Sequence, residues 1–259
     1  MLSPAAEKLI NQYFNMPFPG VNGVRCPYFN NSRRRSRGQL RALVGKGTPE
    51  EIVAESKIIS IQHHLGIFEN DCSVCKQNIS PDDIRKFMID HDLGIECSGF
   101  VSQALRAHYR ETKNIDFARR IYIYPPAKFF RYLISILRPI ENISVQVLAD
   151  DKNSAVVELK DAAPGDIITM LDTQPGKMRN HVLLIRDASK DKIEYVHAMA
   201  WSSEGKYGHG VAKGTIEIIY PKDNLLEQRW DEKNLTDGQN ETYLEAKRAK
   251  VLQIRRLKI

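Results

Sequence analysis

The sequence predicts an α+β fold, with helices in the first half and an antiparallel sheet in the second. Two observations lead there. Helix-start grammar, a Ser or Thr followed by Pro, recurs at Ser3-Pro4, Thr48-Pro49 and Ser80-Pro81. From Ser154 onward, short β-branched runs follow one another, separated by turn residues such as Pro164-Gly165-Asp166 and Ser189-Lys190-Asp191. A length of 259 residues, 42% of them hydrophobic, is enough for a sizeable core, either as one large domain or as one domain with a smaller appendage.

In chain order, the first helix spans about 3–15, with Ser3 as N-cap and Pro4 at the first helical position. Residues 16–47 read as loop-rich, except that "LRALV" at 40–44 suits a strand or a helical turn. "GKGTPEEIV" superficially suggests a phosphate loop, but Gly47 follows Lys46 where Ser or Thr is required. Thr48 and Glu51 instead form a capping box for a helix over 49–65, and Ser80 with Asp83 does the same for 81–90. Further helices are expected over 98–110 and 126–137, where Phe129, Phe130, Tyr132 and Leu133 supply packing. "SAVVEL", "DIITML", "HVLLIRD", "KIEYVHA", "TIEIIY" and "VLQIRRLKI" supply a sheet of about five or six strands.

No segment approaches the apolar length of a membrane span, and the first thirty residues lack the pattern of an export signal. The expectation is a cytoplasmic protein without a membrane span, with non-standard export to the cell envelope left open. Four cysteines in a chain this long suggest reduced thiols rather than a disulfide scaffold. A formal charge of +6 favours anionic partners only through long-range attraction.

Cys97 begins the 98–110 helix, where the positive end of the helix dipole and free amides are expected to lower a thiol pKa and to hold an oxyanion. A thiolate nucleophile needs a base and a group that orients the base. A tight turn at 188–190 would set His181 opposite His197, Leu183 opposite Tyr195 and Ile185 opposite Ile193, giving an apolar strip under the Cys97 helix. One structural histidine or one buried cysteine is commonplace; the three together point to a catalytic set of Cys97, His181 and His197.

These residues resemble the NlpC/P60 family of papain-like cysteine peptidases. "ECSGFV" (96–101) is similar to its nucleophile motif, "PGDIITM" (164–170) to its Gly-Asp strand start, "NHVLLI" (180–185) to its His-bearing strand and "YVHA" (195–198) to the strand with the third polar residue. The resemblance covers about 94–220 and implies a nucleophile helix packed on the sheet. It makes Cys97 the nucleophile, His181 the base and His197 its orienting partner, with no cofactor. Residues 1–93 would then be a helical extension or insertion packed on a 94–259 catalytic core. The implied reaction is amide hydrolysis in a peptidoglycan stem peptide of the γ-D-glutamyl-diamino acid type. Glu96 replaces the family's Asp, and Leu183 stands where many members have Gly. The family's upstream Pro-Tyr segment, whose hydroxyl assists the oxyanion site, has its only counterpart in Pro27-Tyr28, some seventy residues earlier. Tyr28, Ser98 and Trp201 are candidate substrate or oxyanion residues, with Tyr207 a further groove candidate.

Other signals are less specific. Cys72 and Cys75 form a CxxC that, with Cys26 and His63 or His64, offers an alternative zinc site, but no second ligand pair is fixed. The Arg33–Arg37 run reads as a solvated loop or an anion-binding patch and lacks interleaved aromatics for specific nucleic-acid binding. His209 reads as a loop residue. Two rival functions remain: a thiol amidase or acyltransferase acting on a non-wall substrate inside the cell, and a non-catalytic module holding an anionic polymer. Oligomeric state is not legible.

Overall fold

A computed structural model describes residues 1–29, 40–69, 75–76, 78–124, 137–174, 179–201, 205–232, 235–236 and 239–259. Seven α-helices among these residues accompany a seven-stranded antiparallel sheet. The helices are α1 Pro4–Phe14, α2 Pro49–Gln62, α3 Pro81–Asp90, α4 Cys97–Lys113, α5 Val145–Ala149, α6 Gly205–Gly208 and α7 Glu241–Arg248. The strands are β1 Ser154–Val157, β2 Ile167–Leu171, β3 His181–Ala188, β4 Lys192–Met199, β5 Gly210–Glu217, β6 Arg229–Glu232, the short β7 Leu235–Thr236 and β8 Gln239–Asn240, and β9 Val251–Leu257. The large sheet runs β1-β9-β2-β3-β4-β5-β6, and β7 pairs with β8 apart from it.

Local chemistry sets the helix starts. The Ser3 side chain accepts from the Ala6 N–H, and capping boxes at Thr48–Glu51 and Ser80–Asp83 open α2 and α3. "RALV" at 41–44 is a 3₁₀ turn ended by Gly45 in the left-handed region. The helix expected at 126–137 lies almost wholly outside the described residues, as do Arg33–Arg37 and Cys72.

The sheet has one strand more than expected. β6, "RWDE", carries no β-branched residue and reads as polar in sequence, yet Trp230 and Glu232 both turn inward at the strand period of two. The β3–β4 register also differs from expectation. Leu184 pairs with Val196 and Ile185 with Tyr195, a shift of two residues; beyond a one-residue bulge between Ile185 and Asp187, Ala188 pairs with Ile193, so the loop is wider than the tight turn expected at 188–190. A two-residue shift leaves every side chain on its original face. His181 and His197 are therefore diagonal neighbours on one face rather than directly opposed.

That face is not the one beneath α4. Phe100, Val101, Ala104 and Leu105 of α4 pack with Val182, Leu184, Val196 and Ala198. Leu183, Ile185, Ile193 and Tyr195, expected under the Cys97 helix, line the opposite face with Trp230 and with Ala246 of α7. The sheet is thus covered on both sides, and its central strands are buried throughout much of their length.

Residues 1–93 share the core of the remainder, so the division at 93/94 marks no break in packing. Ile10 and Tyr13 of α1, Val24, Cys26 and Ile52 belong to the same buried cluster as Cys97 and Phe100. The Tyr13 ring meets Phe100 edge-on at 5.3 Å, and its hydroxyl donates to the Gly47 carbonyl at 2.7 Å. Residues 27–29 run alongside the turn that precedes Cys97, with the Ile95 N–H donating to Pro27 O and the Phe29 N–H to Ile95 O, both at 3.0 Å.

Gly45 and Gly99 meet at this seam. Gly45 has φ +70, its carbonyl accepts from the Glu96 N–H at 3.0 Å, and a Cβ on Gly99 would overlap that same carbonyl oxygen. Gly99→Ala is therefore expected to cost about 2–3 kcal/mol of stability, the range for overpacking a tight interior. Chemical denaturation measures it; an unchanged midpoint would show that the 45–47 turn gives way freely.

Candidate active site

Cys97 occupies the first position of α4, 6% exposed. Its N-cap residue, Glu96, makes no side-chain cap to the helix. The Glu96 carboxylate instead reaches Lys46 Nζ at 2.5 Å and accepts from Ser98 Oγ at 2.7 Å. Lys46 is buried, and its ammonium also donates to Ser98 Oγ at 2.7 Å and to the Ile143 carbonyl at 2.6 Å. The longer Glu96, standing where the resemblance leads one to expect Asp, can span that gap, and it leaves the first amides of α4 without a side-chain cap.

The thiol does not behave as the helix-dipole expectation requires. Burial, joined by the Glu96 carboxylate, pushes the Cys97 pKa up to about 12, against the opposing pull of Lys46 and the Val182 N–H. Desolvation outweighs the dipole because the sulfur is almost sealed from water. The Val182 amide places the sulfur at the start of β3, one residue from His181.

His181 is 3% exposed. Burial holds its pKa well below the usual imidazole value, with His197 and Arg179 adding to the effect. Cys97 and His181 are therefore both neutral at pH 7. His181 Nε2 lies 2.8 Å from His197 Nδ1, the rings meeting edge-on with centroids 5.1 Å apart. Among the described residues, no group hydrogen-bonds the second nitrogen of His181, Nδ1.

The row continues past the residues identified from sequence. His197 Nε2 lies 3.3 Å from the carboxylate of Glu232 on β6, and Tyr195 Oη donates to Glu232 Oε2 at 2.8 Å. Burial and the adjacent Glu232 carboxylate raise the Tyr195 pKa well above its ordinary value, so the phenol keeps its proton. Glu232 was legible in principle: in "RWDE", an inward Trp230 implies an inward residue two places on. Lys46 carried no such signal.

The three secondary candidates separate. Tyr28 forms an isolated parallel bridge with Ile95, two residues before Cys97, so the chain brings the Pro27-Tyr28 segment close to Cys97 across the long sequence gap. Its pKa is raised chiefly by burial and then by the nearness of Cys97 and Glu96, which keeps the hydroxyl a donor. Ser98 is corrected: its hydroxyl is committed to Lys46 and Glu96, leaving only its backbone amide for an oxyanion. Trp201 is corrected as well. At 2% exposure it packs edge-on against His197 with centroids 5.5 Å apart, and its indole N–H donates to Thr242 Oγ1 at 3.3 Å, so it backs the imidazole rather than lining a groove. Tyr207 lies with Asp90 and Lys206 on the surface.

Around the site, Arg179 pairs with Glu245 at 3.1 Å, and Thr173 Oγ1 donates to Glu245 Oε1 at 2.8 Å. The Arg179 charge reaches both His181 and Tyr28, while half of its side chain stays exposed. Cys75 is a buried free thiol whose backbone forms an isolated antiparallel bridge with Phe68, and Cys26 is a free thiol in the core. Among the described residues no three His, Cys, Asp or Glu side chains converge as a metal site. No described helix is long and apolar enough to cross a membrane. Comparison with known proteins finds no matching family model, curated protein or solved structure.

Two pH dependences follow from the shifts. With a raised thiol and a depressed imidazole, iodoacetamide should alkylate Cys97 slowly at pH 6 and about tenfold faster per unit through the alkaline range. Site mapping by mass spectrometry checks this, and a plateau below pH 7 would reveal an ion pair instead. His181 has a folded pKa below its unfolded value of about 6.5, so its contribution to stability is present above pH 6.5 and is lost as pH falls through the folded value. Each unit of depression corresponds to about 1.4 kcal/mol. Denaturation of His181→Gln between pH 7 and 4 should therefore show a shallower loss of stability than the parent; equal slopes would contradict the buried neutral imidazole.

Proposed function

We propose that this chain is a thiol hydrolase that cleaves an amide bond through a covalent acyl-enzyme, with Cys97 as nucleophile and His181 as base and then acid. The observation that carries the proposal is the polar row His181–His197–Glu232, which begins at the first residue of β3, next to Val182, whose amide meets the Cys97 sulfur.

The reaction proceeds without a standing ion pair. As Sγ bonds to the carbonyl carbon, the thiol proton passes to His181 Nδ1 and the carbonyl π electrons move to oxygen. The amide at the start of α4 and the Tyr28 hydroxyl are the donors for that oxyanion. Collapse of the intermediate breaks the C–N bond, and the leaving nitrogen takes the proton from Nδ1. Water then adds to the thioester while giving a proton to His181, and the sulfur recovers that proton as the C–S bond breaks. His197 orients the ring throughout, and Trp201 limits its tilt.

The substrate class suggested by the likeness to NlpC/P60 enzymes is a peptidoglycan stem peptide cleaved beside a γ-D-glutamyl-diamino acid linkage. The half-exposed Arg179 guanidinium suits a substrate carrying a carboxylate near the scissile bond.

A panel of γ-D-glutamyl-diamino acid peptides, simple N-acyl amides and acyl esters tests this. Cleavage of the first group that disappears in Cys97→Ala is the expected result. Tyr28→Phe should lower kcat by about 100-fold with little change in KM, the range for losing one oxyanion donor. Activity that survives Cys97→Ala would end the hydrolase proposal, and cleavage confined to simple amides or esters would move the substrate away from the wall.

A further inference from the structure

His197 is not the end of the polar row. Its Nε2 faces Glu232 at 3.3 Å, and Glu232 sits 2% exposed on β6, the strand of the sheet farthest in sequence pattern from a β-branched run. We propose that Glu232 is a positioning residue that fixes the tautomers of both imidazoles, so that His181 keeps Nδ1 as a lone pair free to take a proton. The inference rests on the assignment of His181 as base made above, and it adds the residue that sets that base in its working form.

The chemistry runs in one direction along the row. A carboxylate has no hydrogen to give, so His197 donates its Nε2–H to Glu232. When His197 carries a single hydrogen, committing it to Nε2 leaves Nδ1 as a lone pair. The nitrogen 2.8 Å away, His181 Nε2, must therefore carry the hydrogen that bridges the two rings. With its single hydrogen placed on Nε2, His181 holds an acceptor at Nδ1, the nitrogen that no group bonds. Reversing both tautomers would set a lone pair of His197 against the carboxylate in a buried site and would fill the Nδ1 position of His181 with a hydrogen.

Tyr195 sharpens the direction. Its hydroxyl donates to Glu232 Oε2 at 2.8 Å, while His197 Nε2 stands 3.3 Å from both oxygens of that carboxylate. The phenol ring also lies 5.6 Å from the His197 ring, which is held from another side by Trp201 at 5.5 Å. Glu232 is thus supplied with two donors, Tyr195 and His197, and the second of these settles the hydrogen bookkeeping of the pair.

In Glu232→Gln the Tyr195 hydroxyl can claim the amide oxygen, which turns the amide NH₂ toward His197. That donor favours a lone pair at His197 Nε2, a hydrogen at His197 Nδ1 and, through the 2.8 Å contact, a hydrogen at His181 Nδ1. The base is then blocked without any change at the nucleophile.

The test uses full-length Cys97→Ala protein with ¹⁵N-labelled histidine, in which long-range ¹H–¹⁵N spectra near neutral pH report the hydrogen on each ring. The expected spectrum shows Nε2–H on both His181 and His197, with Glu232→Gln in the same background moving both toward Nδ1–H. A hydrogen on His181 Nδ1 in the Glu232 protein, or tautomers unchanged by Glu232→Gln, would overturn the inference. The first of these readings needs no variant at Glu232, so a variant that fails to fold does not remove the test. In the Cys97 protein, Glu232→Gln should lower kcat at least tenfold with KM within about twofold, and Glu232→Asp should recover part of the loss; equal activity in both variants and the parent would also overturn it. Because the spectra require no turnover, failure of the hydrolase proposal appears as activity independent of Cys97, separately from failure of the tautomer assignment.

Discussion

Two imidazoles, a phenol and a carboxylate lie on an otherwise apolar face of the sheet, and they can stay there only if each has a partner for its hydrogens. That requirement ties the β3–β4 hairpin to β6, some thirty residues further along the chain. His181 on β3, His197 and Tyr195 on β4 and Glu232 on β6 are linked by contacts of 2.8 to 3.3 Å. Breaking the row at any point leaves a buried polar group without a partner, so the register of β3 against β4 and the inclusion of β6 in the sheet are under the same constraint. A well-satisfied buried network of this kind specifies one arrangement more strictly than an apolar surface would.

The nucleophile side is governed by close packing. Gly45 and Gly99 allow the 45–47 turn to lie against the start of α4, and Lys46 enters the interior there with Glu96 and Ser98 as its partners. The N-terminal ninety residues are therefore part of the wall around Cys97 rather than an appendage to it. Burial has a consequence for charge: both the Cys97 thiol and the His181 imidazole are held in their neutral forms.

Features set by a few adjacent residues were legible in the sequence. The caps at Ser3, Thr48 and Ser80 fix three helix starts, and alternation in "HVLLIRD" and "KIEYVHA" places His181 and His197 on a common face. What was not legible depended on distant parts of the chain or on a local irregularity. The wider loop closed by Ala188 and Ile193, with the one-residue bulge between Ile185 and Asp187, leaves the ladder two residues from the expected register, an amount that alternation alone cannot detect. The strand "RWDE" was hidden by its charges, and with it Glu232. Tyr28 reaches the site through backbone pairing across nearly seventy residues, and the raised thiol pKa comes from burial that a helix-start argument does not see. Trp201 and Ser98 have the right position in the chain, but neighbouring groups have claimed their polar atoms.

The central claim is that Cys97 becomes acylated with the help of His181. Acid-quenched mass spectrometry of the full chain after brief mixing with a γ-D-glutamyl-diamino acid peptide tests it directly. A transient mass increase equal to the acyl fragment, located on the peptide that contains Cys97 and much reduced in His181→Ala, is the predicted result. Substrate turnover with the adduct on another residue, or with an unmodified Cys97 under conditions that trap thioesters, would contradict it.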